Sequence, residues 1–223
     1  MSQAPTDSPA EPQQPEAEHA IVDTQLVGVS KEHSRVIQLV VAAVFAALSA
    51  AITPIASMLP RIPGWGIALF DPVSLFWIIA FLIGGIRVGM LSTTLGTVCL
   101  FFFDPTGIGP MFKFLATLPM IVVPWLGVRK YGTRFGGQYL AQPLGRLPYG
   151  NYTILMIVAF CVRLLLMVPA NLILVPLLIS PYLTTDFIIT YALILNGIQS
   201  LWDALVPLMI VYPTSLFDHS RMW

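Results

Sequence analysis

From residue 36 onward the chain alternates long apolar runs with short clusters of charge, proline and glycine. Cut at those clusters, it yields six runs. The first is Val36 to about Met58, closed by Pro54 and LPRIPGWG; the second is Ile67 to Gly84, ending at Arg87; the third is Val88 to Phe103, stopping at DPTGIGP. The fourth runs from Lys113 to Val128, before RKYGTR; the fifth from Tyr152 to Ile179; the sixth from Phe187 to Val211. A helix of about 20 apolar residues crosses the hydrocarbon layer, and the third and fourth runs are short by that measure. Barrel strands would instead show alternating segments of about ten residues. The pattern predicts an all-α integral membrane bundle of about six transmembrane helices over residues 35–223. Residues 1–34, rich in Pro, Glu, Gln and Ala and without Lys or Arg before Lys31, read as a disordered cytoplasmic tail. The segment lacks the positive start and apolar centre of a signal peptide.

Composition agrees with this class. Of 223 residues, 57% are hydrophobic and 10% charged, and the mean hydropathy is +0.81, too apolar for a soluble domain. The formal net charge is zero and no basic block offers a surface for nucleic acid. Cys99 and Cys161 lie inside apolar runs without metal-ligand spacing, and His19, His33 and His219 all fall outside the runs. With no GxxxxGK[ST], GxSxG or HExxH, the sequence gives no support for ATP hydrolysis, an enzyme, a metal site or a cofactor.

Basic residues set the expected orientation. Lys31 and Arg35 precede the first run, Arg87 separates the second and third, Arg129, Lys130, Arg134 and Arg146 separate the fourth and fifth, and Arg221 follows the sixth. The opposite loops hold Arg61, Asp71, Asp104 and Asp186, with Lys113 at their edge. The positive-inside rule therefore places both termini in the cytoplasm of a multi-pass protein of the cell membrane.

Two stripes of small residues mark helix contacts. On the first helix Ala42, Ala46 and Ala50 form one row and Ala43, Ala47 and Ala51 the row beside it. On the third, Gly85, Gly89, Thr93 and Thr97 repeat at intervals of four beside Ser92 and Gly96. In lipid such stripes let another backbone approach closely. Packing within the chain and contact with a separate partner both fit.

The candidate binding residues lie toward the outer ends of the helices. Trp65, Phe70 and Asp71 come from the first outward loop, with Trp77 on the second run; Lys113, Asn171 and Asn196 come from the fourth, fifth and sixth runs. Together they could line an apolar pocket with a few orienting polar groups. Each also has a structural reading: Lys113 snorkelling to the headgroups, Asn171 bonding a helical carbonyl near Pro169 or Pro176, Trp65 anchoring at the interface. Arg163 and Asp203 differ from these. At ~1.5 Å per residue both fall about 15–17 Å from the cytoplasmic ends of consecutive antiparallel helices, so they share one level. An unpaired charge there costs at least ~2.5–3.5 kcal/mol, which favours a structural ion pair.

The six-helix plan, the AxxxA rows and the segments GIGPMFKFLATLP and LMVPANLILVPLL resemble the S-components, the substrate-binding membrane subunits of energy-coupling factor (ECF) vitamin transporters. The first segment resembles the start of the fourth helix in the riboflavin-type subgroup, except that Lys113 stands where Asn is expected. The second resembles the end of its fifth helix, with Asn171 at the polar position. The resemblance implies a subunit without chemistry of its own that captures a vitamin, riboflavin first, and works with a transmembrane coupling subunit and two ATPases. It also implies that the alanine stripe is the sliding contact with that coupling subunit. The alternatives are an S-component for another vitamin or precursor, or a membrane scaffold that binds no ligand. A self-contained secondary transporter fits less well, because no inverted repeat is visible.

Overall fold

The protein was analysed as a computed structural model that describes residues 16–60, 70–104, 106–134 and 149–214, with side chains from residue 35 and up to 129 in the third of these stretches. The regular structure of the described residues is all helix, without strands. In order the helices are α1 (Glu16–Ser57), α2 (Pro72–Leu100), α3 (Ile108–Arg134), α4 (Tyr149–Leu178) and α5 (Thr185–Val211). By length and composition each contains a stretch long and apolar enough to cross a membrane, that of α2 being counted along the whole of a helix bent at Gly85. The chain divides into Met1–Val36 and a compact unit, Ile37–Trp223.

Helix α1 starts at Glu16 and so runs through residues 16–34 of the segment expected to be a tail. Pro is absent from that stretch, and Glu and Ala, both good helix formers, supply five of its 19 residues. Residues 1–15 lie outside the described residues.

The second and third expected runs are the two arms of α2, so among the described residues five helices stand where about six were expected. Asp71 caps this helix, its Oδ1 accepting from the Val73 N–H at 3.1 Å, and Pro72 occupies the first turn. At Gly85 the backbone leaves helical geometry, with φ 77° and ψ −171°, and the chain folds back on itself. On a straight helix Trp77 and Gly96 would be about 28 Å apart. Instead a Cβ at Gly96 would collide with Trp77 Nε1, and one at Gly89 would lie 2.5 Å from Phe81 Cβ. Val73, Trp77 and Leu100 accordingly form one buried cluster. The glycine and threonine rows of the second arm are buried, and the glycines serve this close approach within the chain.

Helix α2 is the centre of the bundle. Its Ile78, Phe81 and Leu82 are enclosed with Met120 and Ile121 of α3, Tyr152, Met156 and Ala159 of α4, and Val211 of α5. Helix α1 lies against α2 by one narrow row. Ala42 and Ala46 are buried, Ala42 against Ala80 and Val88, and Ser49 Oγ accepts from Trp77 Nε1 at 2.9 Å. The two alanine rows therefore separate: Ala42 and Ala46 are internal packing and Ala50 is half-buried, whereas Ala43, Ala47 and Ala51 are exposed. Trp77 is likewise a core residue and not a pocket aromatic.

The bend at Gly85 can be tested directly. Its φ/ψ region is one that essentially only glycine occupies, at a cost of roughly 1–3 kcal/mol for other residues. Gly85→Ala is expected to lower the melting temperature in detergent, while Gly150→Ala, where an added Cβ meets nothing within 4 Å, leaves it unchanged.

Candidate functional site

Where the ends of α2 to α5 meet, a cavity of about 790 Å³ opens between α3, α4 and α5. Its walls carry Phe112, Lys113 and Ala116 from α3, Met167, Asn171 and Val175 from α4, and Phe187, Tyr191, Leu195, Asn196 and Gln199 from α5, with Asp71, Thr106 and Gly109 among its other lining residues. The volume and the mixture of apolar wall with a few polar groups are those of a small-molecule site.

The segment DPTGIGP builds one part of this lining. Asp104 Oδ1 accepts from Thr106 N–H at 2.9 Å and Thr106 Oγ1 at 2.6 Å, and its Oδ2 accepts from Gly109 N–H at 3.0 Å. Gly107 takes a positive φ of 68° inside that turn. The Thr106 hydroxyl bond, the largest influence, together with the backbone N–H groups of Thr106, Gly109 and Gly107, holds the Asp104 carboxyl below its ordinary range despite the opposing desolvation. The turn thus fixes the start of α3, and with it Lys113 one turn further on.

Four of the seven sequence candidates line the cavity: Asp71, Lys113, Asn171 and Asn196. Lys113 forms an ion pair with Asp71 Oδ2, so Asp71 both caps α2 and ties it to α3. Asn171 Nδ2 donates to the Met167 carbonyl at 2.7 Å and Asn196 Nδ2 to the Ala192 carbonyl at 2.8 Å. Phe70 packs edge-on against Trp202, with centroids 5.3 Å apart, and does not line the cavity; Trp65 lies outside the described residues.

Behind α5's share of the wall lies the charge pair. Arg163 NH1 and Asp203 Oδ2 are 2.7 Å apart, and both side chains are almost wholly buried. Asp203 Oδ1 accepts from Ser74 Oγ of α2 at 2.7 Å. Arg163 also donates from Nε to Asn196 Oδ1 and from NH2 to Gln199 Oε1, each at 2.9 Å. The network thereby joins α2, α4 and α5.

Sequence reasoning missed Gln199 and Ser74. The signal for Gln199 was present: Asn196, Gln199 and Asp203 are spaced three and four apart and share one face of α5. Ser74 carried none, because its partner is 129 positions away. Tyr191 was also missed; it stacks with Phe187, four residues earlier, at 6.2 Å between centroids.

No protein-family model matches the chain, and neither a curated protein nor a solved structure does so.

Breaking the charge pair from one side is expected to be costly. Asp203→Asn leaves a buried guanidinium without its counter-ion, a loss of about 3–5 kcal/mol. The double change Arg163→Met with Asp203→Leu removes both charges and should recover much of that loss. Thermal unfolding in detergent of the single and double variants measures the difference.

Proposed function

We propose that this chain is the substrate-binding subunit of an ATP-driven vitamin importer of the ECF type, and that riboflavin is its ligand. The observation that carries the reading is the cavity of about 790 Å³ with Asp71, Lys113, Asn171 and Asn196 in its lining. An apolar chamber with a few fixed polar groups suits a ring-shaped, water-soluble molecule. The choice of riboflavin rests on the resemblance of GIGPMFKFLATLP and LMVPANLILVPLL to the riboflavin-type subgroup. On this reading the chain performs no reaction, and ATP hydrolysis belongs to two partner ATPases joined through a transmembrane coupling subunit.

Topology fits the same proposal. A helix that folds back at Gly85 returns the chain to the side from which it entered, whether or not its two arms cross completely. The sidedness then depends on α1, α3, α4 and α5, an even number, which leaves the start of the α1 crossing and the end of α5 on one side. Arg35, the exposed Arg87 at the bend, Arg129 and Arg134 all fall on that side, and the positive-inside rule makes it the cytoplasm of the cell membrane. The cavity then opens outward. Counting the arms of α2 separately gives six helical segments among the described residues.

The exposed row Ala43, Ala47 and Ala51, with Val40, Val44 and Leu48 beside it, is the surface we assign to the coupling subunit. This narrows the expectation, since Ala42 and Ala46 are occupied by α2.

Two measurements test the proposal. The purified protein is expected to quench riboflavin fluorescence at sub-micromolar concentration; binding of another vitamin instead would keep the class and remove the ligand, and binding of none would favour a scaffold. Ala47→Trp is expected to abolish uptake and capture of coupling proteins with ligand binding intact, while Ala46→Trp, placed in the core, lowers the melting temperature.

A further inference from the structure

This inference rests on the cavity being a ligand site. Arg163 and Asp203 do not line it; they stand behind its wall. A guanidinium has five N–H donors and no acceptor, so an amide bonded to it must turn its oxygen toward it. Arg163 does this to two amides at once, through Nε to Asn196 Oδ1 and NH2 to Gln199 Oε1, while NH1 is engaged by Asp203. Asn196 and Gln199 both line the cavity. With their oxygens held from behind, what remains to face an occupant is NH₂. Asn196 directs its own NH₂ to the Ala192 carbonyl, whereas Gln199 Nε2 has no partner among the described residues. The charges near the cavity are also balanced, Arg163 by Asp203 and Lys113 by Asp71.

We propose that Gln199, its amide polarity set by Arg163, is a specificity-determining hydrogen-bond donor of the cavity, which therefore takes an uncharged molecule that buries an acceptor, a carbonyl oxygen or ring nitrogen, against α5. A carboxylate ligand would find no uncompensated cation, and a ligand presenting only donors would leave Gln199 Nε2 buried and unpaired. Arg163 acts as a positioning residue: it touches no ligand but decides which end of each amide the ligand meets.

The test uses the full chain in detergent with riboflavin as the probe, an uncharged molecule with carbonyl and ring-nitrogen acceptors. Gln199→Glu keeps an oxygen for Arg163 and replaces the donor by an acceptor. It is expected to preserve the melting temperature and to weaken riboflavin binding by about 30-fold or more. Binding within about threefold of the unsubstituted protein overturns the proposal, as does loss of binding accompanied by a fall in melting temperature, which would make Gln199 a structural residue. If the unsubstituted protein does not bind riboflavin, the ligand assignment fails, and the donor is judged without a ligand from ¹⁵N side-chain amide signals assigned by their loss in Gln199→Glu and Asn196→Asp. Faster solvent exchange at Gln199 Nε2 than at Asn196 Nδ2 supports the proposal, and protection of Gln199 Nε2 overturns it.

Discussion

A guanidinium and a carboxylate 2.7 Å apart and sealed from water impose more on this bundle than any apolar contact. Neither charge is tolerable there alone, and even together they repay their desolvation only if the remaining donors and lone pairs are satisfied. Ser74, Asn196 and Gln199 satisfy them, and so α2, α4 and α5 are held in register by groups that lose their bonds if any helix rotates. Apolar side chains alone would accept several rotations of similar packing energy.

The cavity inherits its order from this arrangement. Asn196 and Gln199 connect the pair to the open space, and a separate ion pair, Asp71 with Lys113, ties the starts of α2 and α3 together in the lining. Polar groups of the wall are therefore second links in networks anchored elsewhere, a form of preorganisation that spares an occupant the cost of ordering them. The Asp104 turn adds rigidity where α3 begins.

Much of this was legible in the sequence, and the failures have physical causes. Helical periodicity and depth placed Arg163 opposite Asp203 because an antiparallel pair of helices leaves little freedom in level. Four cavity residues were legible because polar side chains in apolar runs are rare. The alanine rows could not be ranked from sequence, since adjacent rows have the same composition and only the neighbour, here Ala80 and Val88, decides which is buried. The fold-back at Gly85 was visible as a break between two runs, but one positive-φ residue replaced the expected loop. Trp77 was misread as a pocket aromatic because an indole looks the same in sequence whether it anchors at an interface or donates to a buried serine.

The fold-back also bears on how the centre of the bundle comes to be enclosed. Its arms have about 13 and 15 residues, roughly 20 and 22 Å of helix, each shorter than the ~30 Å that lipid must be spanned by. The second arm is further weakened by Ser92, Thr93, Thr94, Gly96 and Thr97. Neither arm is long enough to span alone, and each covers the other where Gly89 and Gly96 meet Phe81 and Trp77. Made before α3, α4 and α5, the paired arms are the element whose Ile78, Phe81 and Leu82 those later helices enclose.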